Sequence, residues 1–431
     1  MPRLRFTSAR NDSVNNIFAY AQQADDTARR KIKVGFVSTN SITQGEQVGV
    51  LWSYLLAQGI SISFAHRTFQ WTNDAPGKAA VHCVIIGFGR ETVKQKHLFE
   101  YADIKGQPHE IIASNINPYL VDAPDILLQN RSKPICIVPE MVYGNKPVDG
   151  GNLLLSADEK NELLAKEPKA AKWLRPVLGA EEFLNAKERW CLWLVGIAPS
   201  ELKAMPEVLK RIAGVRKMRL ASVDPQAQKL ATRSTQFRDI KEPETYILVP
   251  SVSSEKRSIV PIGFFDKNTI CTNLNFMLPN ATLYHFGILT STMHNAWMRQ
   301  VCGRLKSDFR YSNTIVYNNF PWPMVGATPS SRNVGENSSS NRDEGVAPTK
   351  QKNAIEAAAQ AVLDARAQFP HESLANLYGA TMPPALVKAH AALDKVVDAA
   401  YVADGGAKHY ASDAERVAFL FKRYQALTSL I

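Results

Sequence analysis

A buried-strand pattern followed by one amphipathic helix limits the fold of this chain more than any other feature of its sequence. Ile32–Thr39 is a mostly apolar run, which predicts a strand buried on both faces and therefore a parallel sheet. Glu46–Gln58 predicts an amphipathic helix closed by Gly59, and Ile60–His66 and Ala80–Phe88 predict two further strands. We interpret this series as the closing edge of an α/β sheet, because no opening half precedes it.

Changes in sequence texture divide the chain into five predicted parts. Residues 1–30 are poorly patterned, with one weak helix predicted from Val14 to Arg30. From about Ile111 the sequence is rich in Pro, Asn and Gly, which marks a domain boundary. The low complexity of residues 324–350 predicts a disordered linker. The parts are an N-terminal segment (1–30), the end of an α/β domain (31–112), an α+β domain (113–323), the linker (324–350) and a helical domain (351–431).

Local signals define several elements inside these parts. Capping boxes are predicted at two helix starts, where Ser156 precedes Glu159 and Ser412 precedes Glu415. The helices predicted beyond the linker span residues 353–369, 383–401 and 412–427. The strands predicted in the α+β region span Tyr246–Val252, Ile259–Phe265 and Thr314–Phe320.

The stretch Arg299–Pro323 mixes cations and aromatic residues densely, with Asp308 as its single acid. Arg and Lys supply phosphate contacts and base-edge donors, and Asp can accept from a base edge. We interpret the stretch as a segment that reads nucleic acid. A solvated basic helix that runs into a buried strand remains an equal alternative on these residues alone.

Composition favours a basic, multidomain globular protein. The chain has 431 residues, of which 45% are hydrophobic and 21% charged. A net charge of +11 and a pI near 9.3 favour a polyanionic partner, because bound Lys and Arg release counterions from phosphates. The five scattered cysteines form no CxxC pair and predict a reduced, cytoplasmic compartment. We expect no metal site, no membrane span and no signal peptide.

Three segments of the first 120 residues are weak candidates for chemistry. Gly87-Phe88-Gly89 follows a strand as a dinucleotide or S-adenosylmethionine loop would, but the third glycine is absent and a plain strand end fits better. Asn115–Tyr119 is similar to the Asn-Pro-Pro-aromatic tetrad of amino methyltransferases, but it lacks one proline and we interpret it as a turn. The polar loop Asn40–Gln47 lies where α/β sites gather, and its side chains serve equally well as helix caps.

A fourth candidate is the predicted loop Arg67–Ala79, which offers Phe69 and Trp71 at the rim of the sheet. An enzyme that flips a base must stack it on something, and an aromatic at this position suits that task. Packing of one aromatic beneath the loop is an equally good reading.

Six blocks of the sequence carry a resemblance to a known family: FVSTNSITQGEQV, HRTFQWTNDAPGKAAVHCVIIGF, SNINPYLVDAP, ATLYHFGILTS, VCGRLKSDFRYSNTIVYNNFPWP and ASDAERVAFLFKRYQ. Together they resemble the MmeI-like (type IIL) restriction–modification enzymes. These enzymes fuse an endonuclease, an adenine-N6 DNA methyltransferase and a target-recognition domain in one polypeptide. The resemblance runs from about Ile32 to the C-terminus, excludes an insertion over Ser331–Gly345, and leaves residues 1–30 poorly matched.

The resemblance implies an α/β fold, the partial sheet of a class I S-adenosylmethionine-dependent methyltransferase, followed by an α+β target-recognition domain and a C-terminal helical domain. The family's nuclease, its glycine loop for S-adenosylmethionine and its tetrad would all lie before Lys31. S-adenosylmethionine is the implied cofactor of intact members, and we expect this chain alone not to bind it. Double-stranded DNA is the implied partner.

Carried onto this sequence, the resemblance assigns four residues to DNA bases. Phe69 takes the place of the aromatic that stacks on the flipped adenine in related enzymes, and Trp71 is the second choice. The family varies the residues matching Lys306 and Asp308 together with one base pair of the recognised site. Lys can donate to guanine O6 and N7, and Asp can accept from cytosine N4, so this pair is predicted to read a G·C pair.

Four more residues are assigned to the DNA backbone: Arg299, Arg304, Arg310 and Tyr311. Cations at such positions contact phosphates and set the register of a protein on the duplex without reading sequence.

Three functions follow as alternatives. The first is a truncated, sequence-specific adenine-N6 methyltransferase that recognises DNA and is inactive alone. The second is half of a split enzyme, completed by an upstream polypeptide that docks on the exposed edge of the incomplete sheet. The third is a DNA-binding module that modifies nothing.

Overall fold

The computed structural model of the chain describes residues 32–71, 81–324 and 346–429. The chain forms two compact units. Of the described residues, one unit comprises 32–71, 81–130 and 417–429, and the other comprises 131–324 and 346–416. The helix predicted from Val14 to Arg30 lies outside the described residues.

The first unit is built on a five-stranded sheet with the spatial order β1-β3-β2-β4-β5. β3 runs antiparallel to β1 and to β2, β2 runs parallel to β4, and β4 runs antiparallel to β5. The parallel pairing predicted for this region is therefore limited to β2 and β4. The strands are β1 (Lys33–Thr39), β2 (Ser61–Trp71), β3 (Val81–Gly89), β4 (Lys96–Glu100) and β5 (His109–Ala113).

The sequence predicted that β1 is buried on both faces, and the structure shows that this prediction is wrong. Exposed and half-buried residues alternate along its whole length. The half-buried face packs through Phe36, whose ring stacks on Phe88 at a centroid distance of 5.7 Å. Among the described residues β1 pairs only with β3, so it is an edge strand of the described sheet. Apolar content alone did not distinguish an edge strand from a central one.

One helix, α1 (Glu46–Ala57), joins β1 to β2 and packs on the sheet. Its Trp52 is fully buried and meets Phe88 edge-on, with ring centroids 6.2 Å apart. Gly59 has a φ of +72°, the left-handed conformation that closes a helix, as predicted.

β2 is longer than its alternation predicted, because Arg67–Trp71 belongs to the strand and not to a loop. Phe69 pairs with Cys83 and Trp71 with Val81 of β3. A shift in register after His66 marks a β-bulge, which breaks the two-residue period on which the prediction depended. Residues 72–80 lie outside the described part.

The second unit contains three sheets, with the orders β12-β10-β14-β6, β13-β8-β9-β7 and β11-β16-β15. Buried side chains such as Val177, Cys191 and Val208 form one of its cores. The strands are β6 (Val142–Tyr143), β7 (Leu154–Leu155), β8 (Leu174–Leu178), β9 (Trp190–Leu192), β10 (Thr245–Pro250), β11 (Val252–Ser253), β12 (Gly263–Asp266), β13 (Ile270–Cys271), β14 (Asn275–Pro279), β15 (Gly303–Leu305) and β16 (Asp308–Arg310).

The helices that begin in the second unit confirm several sequence signals. Ser156 and Glu159 form the predicted capping box at the start of α2. The helices are α2 (Ala157–Lys166), α3 (Ala180–Asn185), α4 (Pro199–Lys203), α5 (Pro206–Leu220), α6 (Pro225–Lys229), α7 (Leu283–Thr290), α8 (Thr292–Val301), α9 (Val346–Ala367), α10 (Leu374–Leu377), α11 (Pro384–Ala400) and α12 (Asp413–Thr428).

Two predicted strands are wrong in whole or in part. Thr314–Phe320 is not a strand, because Asn313–Tyr317 forms a π-helical turn that Ser312 caps through its side chain. Buried packing of Val316 and its neighbours overrides the β-branched content of this segment. Ile259–Phe265 becomes strand only from Gly263 onward.

The three long helices beyond the linker are present close to their predicted bounds. α9 begins at Val346, so the last residues of the predicted disordered linker are helical. Residues 325–345 lie outside the described part. At the start of α12, Glu415 N–H donates to the Ser412 hydroxyl, but the Glu415 carboxylate accepts from Ala411, so the predicted capping box is half formed.

Candidate nucleic-acid interface

The β15–β16 hairpin (residues 303–310) brings the two predicted base readers together. Arg304 pairs with Phe309, and Leu305 pairs with Asp308. Lys306 and Ser307 form a two-residue loop between the strands. Lys306 has a φ of +57°, as the first loop residue of a type II′ turn requires. The tip of the hairpin therefore presents an amine and a carboxylate two residues apart.

The residues at this tip differ in how far solvent reaches them. Lys306 is exposed, Asp308 is half-buried, and Leu305 is 52% exposed. An exposed amine beside a half-buried carboxylate offers a donor and an acceptor of the kinds that pair with base edges in the major groove.

Arg304 is held inside the hairpin. Its guanidinium lies 3.9 Å from the ring centroid of Phe309, and Nη1 donates to the carbonyl of Ser307 at 2.9 Å. Burial lowers the pKa of this guanidinium. The phosphate contact predicted for Arg304 stays a prediction. Its contacts with Phe309 and Ser307 give this side chain a second role, which is to hold the loop of the hairpin.

Arg310 and Arg299 present contrasting surroundings. Arg310 is exposed and pairs with Gly303 on one side and Val252 on the other. Arg299 is mostly covered, with its Nη2 2.5 Å from Asp413 and its Nη1 donating to the carbonyl of Ser258. Arg310 is therefore the more accessible of the two for a phosphate.

Tyr311 is only 6% exposed, and its hydroxyl lies 2.9 Å from Nε2 of His294. Burial raises the pKa of this phenol well above its ordinary value. A phosphate contact by Tyr311 stays a prediction, although of the four predicted backbone contacts it has the least access to solvent.

The aromatic residues of Arg299–Pro323 pack into the core of the second unit, which corrects the interpretation that they face nucleic acid together with the cations. The hydroxyl of Tyr317 donates to the carbonyl of Pro139 at 2.7 Å. The sequence shows which residue types are mixed in this stretch, but it does not show which side chains point to the core and which to solvent. The buried residues are Phe309, Tyr311, Tyr317, Phe320 and Trp322.

Sequence reasoning missed Arg257, which lies in the turn beside the hairpin. β11 pairs with β16, so the turn Ser254–Arg257, closed by a 3.1 Å bond between Arg257 N–H and the carbonyl of Ser254, follows directly. Burial lowers the pKa of Arg257, and the charge of Asp308 opposes that shift. Its Nε is buried with no hydrogen-bond partner among the described residues. The Glu-Lys-Arg run in this turn was the available signal.

In the first unit, Phe69 and Trp71 lie together near the end of β2, with ring centroids 6.1 Å apart. Phe69 also stacks on Tyr101, at 5.3 Å and an interplanar angle of 24°. Trp71 is 45% exposed and Phe69 is half-buried. The two predicted base-stacking residues are thus adjacent, and Tyr101 is a third member that the sequence did not indicate.

The weak motifs of the first unit have structural roles. Gly87 and Gly89 are strand residues of β3, paired on both sides, so they form no cofactor loop. A Cβ at Gly87 would collide with the ring of Phe64, which explains glycine there. Asn115–Tyr119 enters a turn in which Asn117 accepts the N–H of Tyr119 and of Val121, as the turn interpretation predicted.

The described residues include neither a membrane-spanning helix nor a cluster of metal ligands. No helix in the described ranges is long and apolar enough to cross a membrane. No group of three or more His, Cys, Asp or Glu side chains there could hold a metal ion.

Comparison with known protein families covers most of the chain. The model of the MmeI DNA-methyltransferase domain matches residues 4–100, that of the MmeI target recognition domain matches residues 122–324, and that of the MmeI C-terminal domain matches residues 346–431. The first match begins at residue 4, which corrects the view that residues 1–30 match the family poorly.

Two relatives are similar over nearly the whole chain. DNA methyltransferase A of Bacillus subtilis (strain 168) is 40% identical over 399 residues, which is 92% of this chain and 42% of the relative. The structure of the type IIL restriction–modification enzyme MmeI in complex with DNA superimposes with a TM-score of 0.78 and 48% identity, over 93% of this chain and 50% of that one. The chain thus spans half, or less, of the length of these relatives.

The chain carries part of a DNA-methyltransferase domain joined to a target-recognition domain, as these matches show. It belongs to the MmeI family of restriction–modification enzymes. Three consecutive matches to MmeI domains and the similarity to the MmeI structure both support this assignment.

Proposed function

We propose that this chain recognises a specific double-stranded DNA sequence as part of a site-specific adenine-N6 DNA methyltransferase, and that its described residues do not transfer a methyl group on their own. The observation that carries the proposal is the hairpin tip with Lys306 and Asp308, within the residues that match the target recognition domain. MmeI, the structural relative, was solved in complex with DNA.

Lys306 and Asp308 are suited to one base pair read from the major groove. A lysine amine donates to guanine O6 or N7, and a carboxylate accepts from cytosine N4. The short loop fixes their spacing, since Leu305 and Asp308 are opposite one another in the ladder. A fixed spacing reduces the conformational entropy lost on binding.

Phosphate contacts supply affinity around this tip. Arg310 is the exposed cation nearest in the ladder, and Arg299, Arg304 and Tyr311 are the remaining candidates. The net charge of +11 supports a polyanionic partner.

The first unit supplies the closing part of a class I methyltransferase sheet in this proposal. Its antiparallel β3 between β1 and β2 supports the assignment, as does the match to the methyltransferase domain. Phe69, with Trp71 beside it, is proposed to stack on the target adenine.

The Gly87–Gly89 segment does not form a loop for S-adenosylmethionine, because both glycines are paired on both sides within the sheet. No step of methyl transfer is therefore assigned to this chain, which would be inactive alone. Transfer requires the methyl donor in line with the amine, and that alignment needs a preformed site.

A second candidate function is half of a split methyltransferase, and the edge strand β1 favours it. Val37 of β1 is 54% exposed, and among the described residues β1 has a strand on one side only. An unpaired strand edge is a ready template for another strand. An upstream polypeptide with the glycine loop and the tetrad would be the partner. A pure DNA-binding module is the third candidate.

The test is selection of duplexes from a randomised library by the purified chain, followed by sequencing of the bound fraction. Enrichment of one short sequence is expected, with a cost of about 1–3 kcal/mol for each changed base pair. Equal binding of all duplexes would contradict sequence-specific recognition. The matched control is the double variant Lys306→Ala, Asp308→Ala, which should lose preference at one position and keep the rest.

Assays with S-adenosylmethionine then separate the candidates. The chain alone should show no heat of binding and no methyl transfer to the selected duplex. Transfer that appears only with the upstream polypeptide supports the split enzyme, and transfer by the chain alone would overturn the proposed lack of catalysis.

A further inference from the structure

The bulge in β2 places His66 and Phe69 on the same face of the sheet. Between them β2 advances by three residues while β3 advances by two, from Ile85 to Cys83. Residues three apart on a regular strand point to opposite faces, and the extra residue cancels that difference. The two rings are accordingly only 6.4 Å apart, at an interplanar angle of 66°.

Hydrogen bonds to three neighbouring segments anchor the bulge. Arg67, whose side chain is 15% exposed, donates through Nε to the carbonyl of Leu120 at 2.9 Å and through Nη1 to Glu100 of β4. Asn40, after β1, donates through Nδ2 to the hydroxyl of Thr68 at 3.3 Å. A bulge held from several sides keeps one geometry.

A layered set of rings then covers one side of Phe69. Tyr101 stacks on Phe69, and its hydroxyl lies 2.9 Å from Nδ1 of His66. His66 in turn stacks on Phe99 at 4.3 Å and an angle of 9°. Burial lowers the pKa of His66, which favours the neutral ring that can share a hydrogen bond with the phenol.

We propose that Arg67 and Tyr101 are positioning residues that fix the ring of Phe69 for a base stacked on its opposite face. The proposal rests on the proposed function, in which Phe69 receives the target adenine. Tyr101 closes one face of Phe69, so the base has a single face left, and Arg67 holds the bulge that turns the ring to this side. An aromatic held in this way loses little freedom when a base stacks on it.

The experiment uses the full chain and the duplex that library selection returns, with each adenine replaced in turn by the fluorescent analogue 2-aminopurine opposite an abasic site. Removing the partner base lowers the cost of flipping. In the wild-type chain one position should show quenched emission, because an aromatic ring stacks on the analogue. Phe69→Ala should raise the emission at that position alone.

Three variants separate positioning from general structure. Tyr101→Ala and Arg67→Met should each raise the emission at that position about twofold while duplex affinity changes less than about twofold. Tyr101→Phe keeps the stacked ring and loses only the hydroxyl, so its emission should stay close to that of the wild type. Thermal unfolding of each variant confirms that it is folded.

The results that would overturn the positioning role differ from those that would overturn the proposed function. If Tyr101→Ala leaves the emission unchanged, or if no adenine position responds in the wild-type chain, the positioning role is overturned while sequence-specific binding stands. If the library yields no enriched sequence, the proposed function itself fails. If Tyr101→Ala unfolds, Tyr101→Leu replaces it, because leucine keeps much of the side-chain bulk and lacks the aromatic face.

Discussion

Arg304 covers the ring of Phe309 directly across the β15–β16 hairpin, with its guanidinium 3.9 Å from the ring centroid. The same guanidinium holds the carbonyl of Ser307 in the two-residue loop. The side chain of one strand thus fixes both the partner strand and the loop that carries Lys306.

Arg304→Ala should therefore lower the free energy of unfolding by about 1 kcal/mol, because a cation–aromatic contact and a loop hydrogen bond are lost together. Urea unfolding measures this loss. Arg304→Lys keeps the charge and loses the planar stack, so it should be nearly as unstable. If Arg304 also contacts a phosphate, Arg304→Ala will in addition weaken the salt dependence of DNA binding. No change in stability would show that the stack does not support the hairpin.

Arg310→Ala should weaken binding to all duplexes equally and flatten the slope of log affinity against log salt by about one unit, since one phosphate contact is removed. Fluorescence anisotropy over a series of salt concentrations measures the slope. Lys267→Ala, at an exposed lysine outside the hairpin, is the control. A loss at Arg310 confined to one DNA sequence would assign it to base readout.

The pair Lys306→Glu with Asp308→Arg should change preference at one base pair of the selected site and leave the others unaltered, because the donor and the acceptor exchange places. Library selection with the double variant checks this directly. The single variants should bind poorly, since each leaves one base edge without a partner. A uniform loss across all sequences would contradict the assignment of this pair to base reading.

Val37→Lys should prevent association with an upstream methyltransferase polypeptide if β1 is the docking edge, because a lysine on an exposed strand opposes edge pairing. Co-purification of the two polypeptides measures the association. Val50→Lys, at a side chain 75% exposed on α1, is the matched control and should leave association intact. Unchanged association of the Val37 variant would place the docking surface elsewhere.

Acid should destabilise the second unit through His294. Burial lowers the pKa of His294 to about 3 from an ordinary value of 6.5. Below pH 6.5 the unfolded chain takes up a proton that the folded chain refuses, so stability present above that pH is lost as the pH falls towards 3. The slope for one such histidine is about 1.4 kcal/mol per pH unit.

Urea unfolding between pH 7 and 4 measures this dependence. His294→Gln should reduce the slope of stability against pH by about 1.4 kcal/mol per pH unit, which is the contribution of one proton. His371→Gln, at an exposed histidine, should leave it unchanged. His390, whose pKa burial also lowers to about 3, keeps part of the slope in the His294 variant. An equal slope in the variant and the wild type would show that His294 is not the group responsible.

Strongly periodic segments could be predicted from the sequence, and features that depend on a neighbour could not. α1, α11 and the Ser156 cap follow from local spacing and hydrogen bonding, so they appear where expected. The edge position of β1 depends on which strands are present beside it. The bulge after His66 depends on contacts of Arg67 with residues more than thirty positions away.

The candidate site divides in the same way. The resemblance to a known family paired Lys306 with Asp308, and the structure places both at the tip of one hairpin. Tyr317, Phe320 and Trp322 could not be placed, because a list of side chains does not say which face is buried, and all three are core residues. Arg257 and Tyr101 reach their neighbours through strand pairing that their own segments do not reveal.

The left-handed backbone at Lys306 limits how the specificity of such a chain can diversify. A positive φ is costly for β-branched residues and easy for glycine and asparagine. We therefore expect side chains without a β-branch at position 306. The long polar ones among them can also reach a base edge. If Lys306 reads a base as proposed, the turn restricts the side chains available at this position before any contact with DNA selects among them. A change of the recognised base pair is then expected from a small set of residues on an unchanged hairpin.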